Sequence, residues 1–224
     1  MSELNQTLHR SAVPAIAVNK VLTNTYALLA MTLLFSGFSA GLSMFFNLPH
    51  PGMLLTLVGY FGLLFLAHRF SNSGLGLVFV FALTGFMGLT LGPIISSYMT
   101  VFSNGGQLVM TALGGTGLIF LGLSAYVLTT RKDFSFLGGF LMVGVLVAFL
   151  TGIVAIFVPG IPGLSLAVSA MFILLMSGMI LYQTSEIVHG GETNYILATI
   201  SLYVSIYNLF LSLLQILGVF SGDD

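Results

Sequence analysis

The stretch MLLTLVGYFGLLFLAHR, residues 53 to 69, is apolar from Met53 to Ala67 and turns basic at His68 and Arg69. Whether it crosses a bilayer decides how the whole chain is threaded. A spanning helix needs about 20 mainly apolar residues, with a working range of about 17 to 25, because a helix rises ~1.5 Å per residue through ~30 Å of hydrocarbon. Met53 to Ala67 is short by that measure. Its neighbours have to settle its role.

Six further runs are long enough: about Leu22 to Phe46, Leu75 to Ile95, Leu108 to Thr129, Phe136 to Val158, Leu164 to Thr184 and Tyr195 to Phe220. The first ends before NLPHPG, where Pro49 and Pro51 interrupt helix, and the fifth ends at PGIPG. Retained Lys and Arg mark cytoplasmic loops. Arg10 and Lys20 precede the first run, Arg69 follows the short one, and Arg131 and Lys132 lie between the fourth and fifth spans of a seven-span count. Seven spans put all five cations on one side, and the loops 47–52, 98–107 and 159–163 hold none. Leaving out residues 53–67 as a span would carry Arg69 across the membrane, away from Arg10 and Lys20. The short stretch is therefore read as a span.

Composition agrees on the solvent. With 57% hydrophobic residues, a mean hydropathy of +1.10 and only 5% charged residues in 224, the chain is an integral membrane protein. Spans in lipid must be helical here, because open sheet edges would leave backbone groups unpaired. The expected fold is an all-α seven-transmembrane helix bundle over residues 22–220. Residues 1–21 form a flexible cytoplasmic tail, and residues 221–224 a short tail on the far side. A net charge of −1 with no basic cluster excludes nucleic acid as a partner. The absence of cysteine removes disulfides and thiolate metal sites. No paired-histidine metal motif, nucleophile elbow or intramembrane acid pair is present, so the chain is read as no enzyme and as needing no cofactor.

Small residues let helices approach closely in lipid, where the hydrophobic drive between helices is absent. Gly88 and Gly92 stand four apart, Gly144 and Gly152 flank Ala148 at the same spacing, and Gly115 and Gly122 share a face. These six are the candidate packing glycines. In the last span, Ser201, Ser205, Asn208, Ser212 and Gln215 recur at spacings of 4, 3, 4 and 3 and so form one polar stripe. The stripe should face the bundle interior, either as interhelical hydrogen-bonding or as an ion path. Gln183 is its natural partner, with Glu186 and Arg69 as candidates at its cytoplasmic mouth.

Glu186, His189 and Glu192 flank a Gly190-Gly191 pair. Their side chains can bind metal, but a calcium site usually wants about six or more oxygens. Zinc needs about three or four protein ligands, which this loop does not supply. A structural loop is the favoured reading, with a lone cation or proton ligand at Glu186 as the alternative.

The blocks GLTLGPIISSY (88–98), RKDFSFLGGFL (131–141), ILYQTSEIVHGG (180–191) and ISLYVSIYNLFLSLL (200–214) resemble the signature segments of the Bax inhibitor, or transmembrane Bax-inhibitor-motif, family. TYALLAMTL, AYVLTTRKD and HGGETNYI resemble in particular its enterobacterial members. The resemblance implies a multi-pass protein of the bacterial inner membrane with its C-terminus periplasmic. It also implies binding to the AAA+ protease FtsH, which restrains membrane-protein quality control. Family members regarded as calcium leaks carry an aspartate in each of the last two helices, and here the matching positions are Gln183 and Ser205. Two close carboxylates can share a proton and switch with pH, whereas an amide and a hydroxyl cannot. A Bax-inhibitor-type cation leak channel or transporter, for calcium or protons, is therefore the alternative function, and a packing-only scaffold is the third reading.

Overall fold

The computed structural model describes residues 15–157 and 163–221. The described residues form seven α-helices: α1 (Ala15–Phe45), α2 (Met53–Arg69), α3 (Gly74–Val101), α4 (Gly105–Thr130), α5 (Gly138–Phe157), α6 (Leu164–Val188) and α7 (Tyr195–Ser221). A short 3-10 turn, Ser135–Leu137, leads into α5. Six helices are long and apolar enough to cross a membrane, and α2, at 17 residues, is the exception. Its length of roughly 25 Å, at ~1.5 Å per residue, falls at the lower edge of what hydrocarbon requires.

Boundaries differ from the sequence reading: α3 runs to Val101, past Ile95, so that only residues 102–104 separate it from α4, and α6 runs to Val188, past Thr184. Residues 15–21, assigned above to the tail, belong to α1. Asn19 and Lys20 end the apolar run, but a helix propagates by backbone hydrogen bonds and tolerates both residues, so hydropathy stops before the helix does. Residues 1–14, residues 158–162, which hold all of the PGIPG break but Gly163, and residues 222–224 lie outside the described residues, and so do the parts of the two expected tails that fall there.

The helices assemble around α7, the most buried of the long helices, which touches α1, α3, α4 and α6. α2 packs on α3, and α5 is applied to α6 from outside. The outward side chains are large and apolar, among them Phe38, Leu118, Phe140 and Met142, each more than half exposed. Such a coat suits lipid.

The closest crossing joins α1 to α3. A Cβ added at Gly88 would collide with the carbonyl oxygen of Ser36, and one at Gly92 would stand 2.5 Å from Ser43 Oγ and 2.9 Å from the Ala40 carbonyl. Only glycine fits where backbone meets backbone this closely. The approach solves a second problem. Pro93 lies inside α3 and has no N–H to give to the Leu89 carbonyl four residues earlier. Ser43 Oγ donates to that carbonyl from α1 at 2.9 Å. Thus the glycine that admits α1 and the proline that frees the carbonyl act as a pair.

The other candidate glycines divide. Gly144 receives the Leu175 side chain, 2.5 Å from where its Cβ would stand, while Gly115 and Gly152 have ordinary clearance of 3.6 Å from Leu213 and Val168. Gly122 is exposed and has no neighbour within 4 Å of an added Cβ, so its expected packing role fails. Seven residues from Gly115 the face has drifted by about 20°, because 3.6 residues per turn do not divide seven evenly.

Candidate functional site

The α7 stripe is turned towards α6 at both ends. Ser205, buried, donates to the Ser201 carbonyl at 2.9 Å, and its Oγ lies 3.3 Å from Gln183 Oε1 on α6. One end of the stripe is thereby tied across the helix pair. At the other end Ser169 Oγ donates to Gln215 Oε1 at 2.8 Å. Asn208 bonds its own helix, from Nδ2 to the Val204 carbonyl at 2.8 Å, and Ser212 is buried. Each contact found here is neutral.

Glu186 and Arg69 stand apart from this pair. Glu186 ends α6: its carbonyl accepts the N–H groups of Gly191 at 2.8 Å and Glu192 at 3.1 Å, and its carboxylate folds against Gly191. Gly190, at φ 76°, turns the chain back and makes that closure possible. Arg69 is the last residue of α2 and is exposed, with its guanidinium carbon 6.0 Å from the Phe70 ring centre. A cation at the end of a short apolar helix reaches water more cheaply than it enters a bundle. Neither residue lines the polar core, contrary to the sequence expectation.

His189 and Glu192 likewise have separate partners. Glu192 Oε1 accepts the Asn194 N–H at 2.7 Å. The His189 ring spans from α6 to the α4–α5 turn, with Nδ1 2.9 Å from the Ser185 carbonyl and Nε2 3.1 Å from the Arg131 carbonyl. Ser185 Oγ accepts the Phe134 N–H at 2.9 Å. In the same turn the Ser135 N–H and hydroxyl hold Asp133 below the usual carboxylate range, and the nearby His189 acts in the same direction. Among the described residues, no three His, Cys, Asp or Glu side chains gather as a metal site would require.

A second polar cluster, missed in the sequence, lies where α7 meets α1 and α3. Tyr203, 1% exposed, directs its hydroxyl proton to the Thr84 carbonyl at 3.3 Å and accepts from Ser36 Oγ at 2.7 Å. Thr90 Oγ1 donates to Met87 O at 2.8 Å and accepts from the Tyr207 hydroxyl at 3.3 Å. Further along, Thr199 Oγ1 donates to the Tyr195 carbonyl of its own helix at 2.7 Å, with the Thr25 carbonyl of α1 3.2 Å away. Tyr203 and Tyr207 stand four apart on one helix face, which is a signal in the sequence, but tyrosine is grouped with the hydrophobic residues and its hydroxyl does not stand out in an apolar run. Buried hydroxyls on several faces of α7 thus join it to α1, α3 and α6.

Described residues that are helical throughout their regular elements, with apolar outer faces and a core joined by neutral hydrogen bonds, define a multi-pass helical membrane protein. Residues 18–222 match the family model described as Inhibitor of apoptosis-promoting Bax1, and the chain belongs to this Bax inhibitor family. It is 54% identical over 208 residues to the Modulator of FtsH protease YccA of Escherichia coli (strain K12), covering 93% of this chain and 94% of that one. An uncharacterized protein of Pseudomonas aeruginosa is 54% identical over the whole of both chains. An uncharacterized membrane protein of Vibrio cholerae is 45% identical over 93% of each.

Proposed function

We propose that this protein binds FtsH in the bacterial inner membrane and restrains it, acting as a modulator without catalytic chemistry of its own. The observation that carries the reading is the 54% identity to a named FtsH modulator over 93% of the chain. In this reading all seven helices span, with the N-terminus cytoplasmic and the C-terminus periplasmic. The one-sided Lys and Arg distribution supports that threading. Residues before α1 then lie on the side where an AAA+ protease engages flexible ends, and they are the handle by which FtsH turns the protein over. Polar-core residues hold the bundle together; the neutral Gln183–Ser205 pair supplies no titrating charge for a carboxylate-gated leak.

Co-purification from membranes tests the reading. Tagged full-length protein should bring FtsH with it, and deletion of residues 3–10 should preserve that association while lengthening the protein's half-life in pulse-chase. Failure to recover FtsH with the full-length chain overturns the proposal, and equal half-lives refute the handle.

A further inference from the structure

The ring of His189 sits between the C-terminal ends of two helices. Ser185 belongs to the last turn of α6, and Arg131 is the C-cap of α4, held in the left-handed region at φ 51°. Carbonyl groups at a helix C-terminus carry partial negative charge and favour a nearby cation. Both ring nitrogens point at such carbonyls, at 2.9 Å and 3.1 Å.

A neutral imidazole has one N–H and cannot donate to both. If Nδ1 keeps the proton, the Nε2 lone pair faces the Arg131 carbonyl and the link to the turn is lost. If Nε2 keeps it, Nδ1 must accept from the Ser185 hydroxyl, 3.3 Å away. That hydroxyl is then drawn from the Lys132 carbonyl, its other acceptor at 3.4 Å. An imidazolium removes the conflict: each nitrogen donates to its carbonyl, and Ser185 is free to donate to Lys132 while still accepting the Phe134 N–H.

We infer that His189 is a protonation-dependent clamp joining the C-terminal ends of α4 and α6 and thereby fixing the α4–α5 turn. The turn that meets the ring carries Arg131, Lys132 and Asp133, with Asp133 close enough to feel the His189 charge, and in sequence Glu186 stands three residues before the ring on α6 and Glu192 three residues after it. The clamp is tight when His189 is charged and loosens as pH rises and the proton leaves. α5 is the affected element, because it enters from this turn and packs mainly on α6, with a single ring contact from Phe149 to Phe61 of α2. This device does not depend on the protease reading.

Hydrogen exchange on the full-length protein in lipid nanodiscs tests it. Protection of residues 131–137, corrected for intrinsic exchange, should rise roughly two- to fivefold from pH 8 to pH 5.5, the scale of a cation at a helix C-terminus. His189→Gln should flatten the rise, and His68→Gln should leave it intact. Ser185→Ala should lower protection at Phe134 at both pH values while keeping the rise, since both carbonyls remain. A flat wild-type profile, an undiminished rise in His189→Gln or a flat Ser185→Ala profile would overturn the clamp. The Ser185→Ala arm decides the matter even if His189→Gln fails to fold.

Discussion

Replacing Ser43 by alanine should cost stability only because Pro93 is present. Ser43 is 1% exposed, and its hydroxyl donates at 2.9 Å to a Leu89 carbonyl that Pro93 cannot serve. Removing the donor leaves a buried carbonyl unpaired, about 1–3 kcal/mol in general, while hydrogen bonds within membrane bundles average about 0.6 and reach about 1.7 kcal/mol. The expected loss for Ser43→Ala is therefore about 1 kcal/mol. In a Pro93→Ala background the new N–H restores the bond within α3, so Ser43→Ala should cost about 0.3 kcal/mol or less, within the additivity error of such cycles. The four proteins should be unfolded reversibly in mixed micelles and followed by circular dichroism, with helix content checked first. Equal losses in both backgrounds would show that Ser43 does not compensate for the proline.

Gly88→Ala should destabilise the bundle by about 1–3 kcal/mol, as overpacking does, whereas Gly122→Ala should be neutral or stabilise by up to about 1 kcal/mol; the same unfolding assay compares them. Asp133 should titrate below its ordinary value of 3.8, so its support for the α4–α5 turn is present above that pH and is lost as pH falls through the lowered midpoint, and carboxyl NMR on labelled protein would read it. A reporter fused after Asp224 should be exported and one fused after Ser73 should stay cytoplasmic; both on one side would refute seven spans. Reconstituted protein should show little calcium flux with a carboxylate-type pH midpoint, and Gln183→Asp with Ser205→Asp should introduce one in a liposome dye assay; strong gated flux in the unmodified protein contradicts the neutral-core reading.

Hydropathy exposed the helices because lipid demands apolar side chains over a fixed length, and the 4-3-4-3 spacing exposed the stripe because one helix face repeats at that interval. Neither signal carries information between helices. Ser43 and Leu89 are 46 residues apart, and nothing in either sequence neighbourhood tells that one repairs what Pro93 removes from the other. The Ser36–Tyr203 contact spans 167 residues and is hidden for the same reason. Glu186 and Arg69 mislead because charge alone suggests a site, while their positions at helix ends let them reach water or close a turn. His189 is visible as a residue, but its two carbonyl partners depend on α4 and α6 ending side by side.

The central place of α7 also bears on how the protein is made. Its hydroxyl and amide groups find their partners on α1, α3 and α6, and each of these helices precedes α7 in the chain. Synthesis proceeds from the N-terminus at roughly 5–20 residues per second. By the time α7 leaves the ribosome, the groups that will receive its polar side chains have already been in the bilayer for seconds. The most polar-bonded helix never has to wait alone in hydrocarbon for a partner still to be translated. A permuted chain that delivered α7 first would meet that delay at every one of these groups.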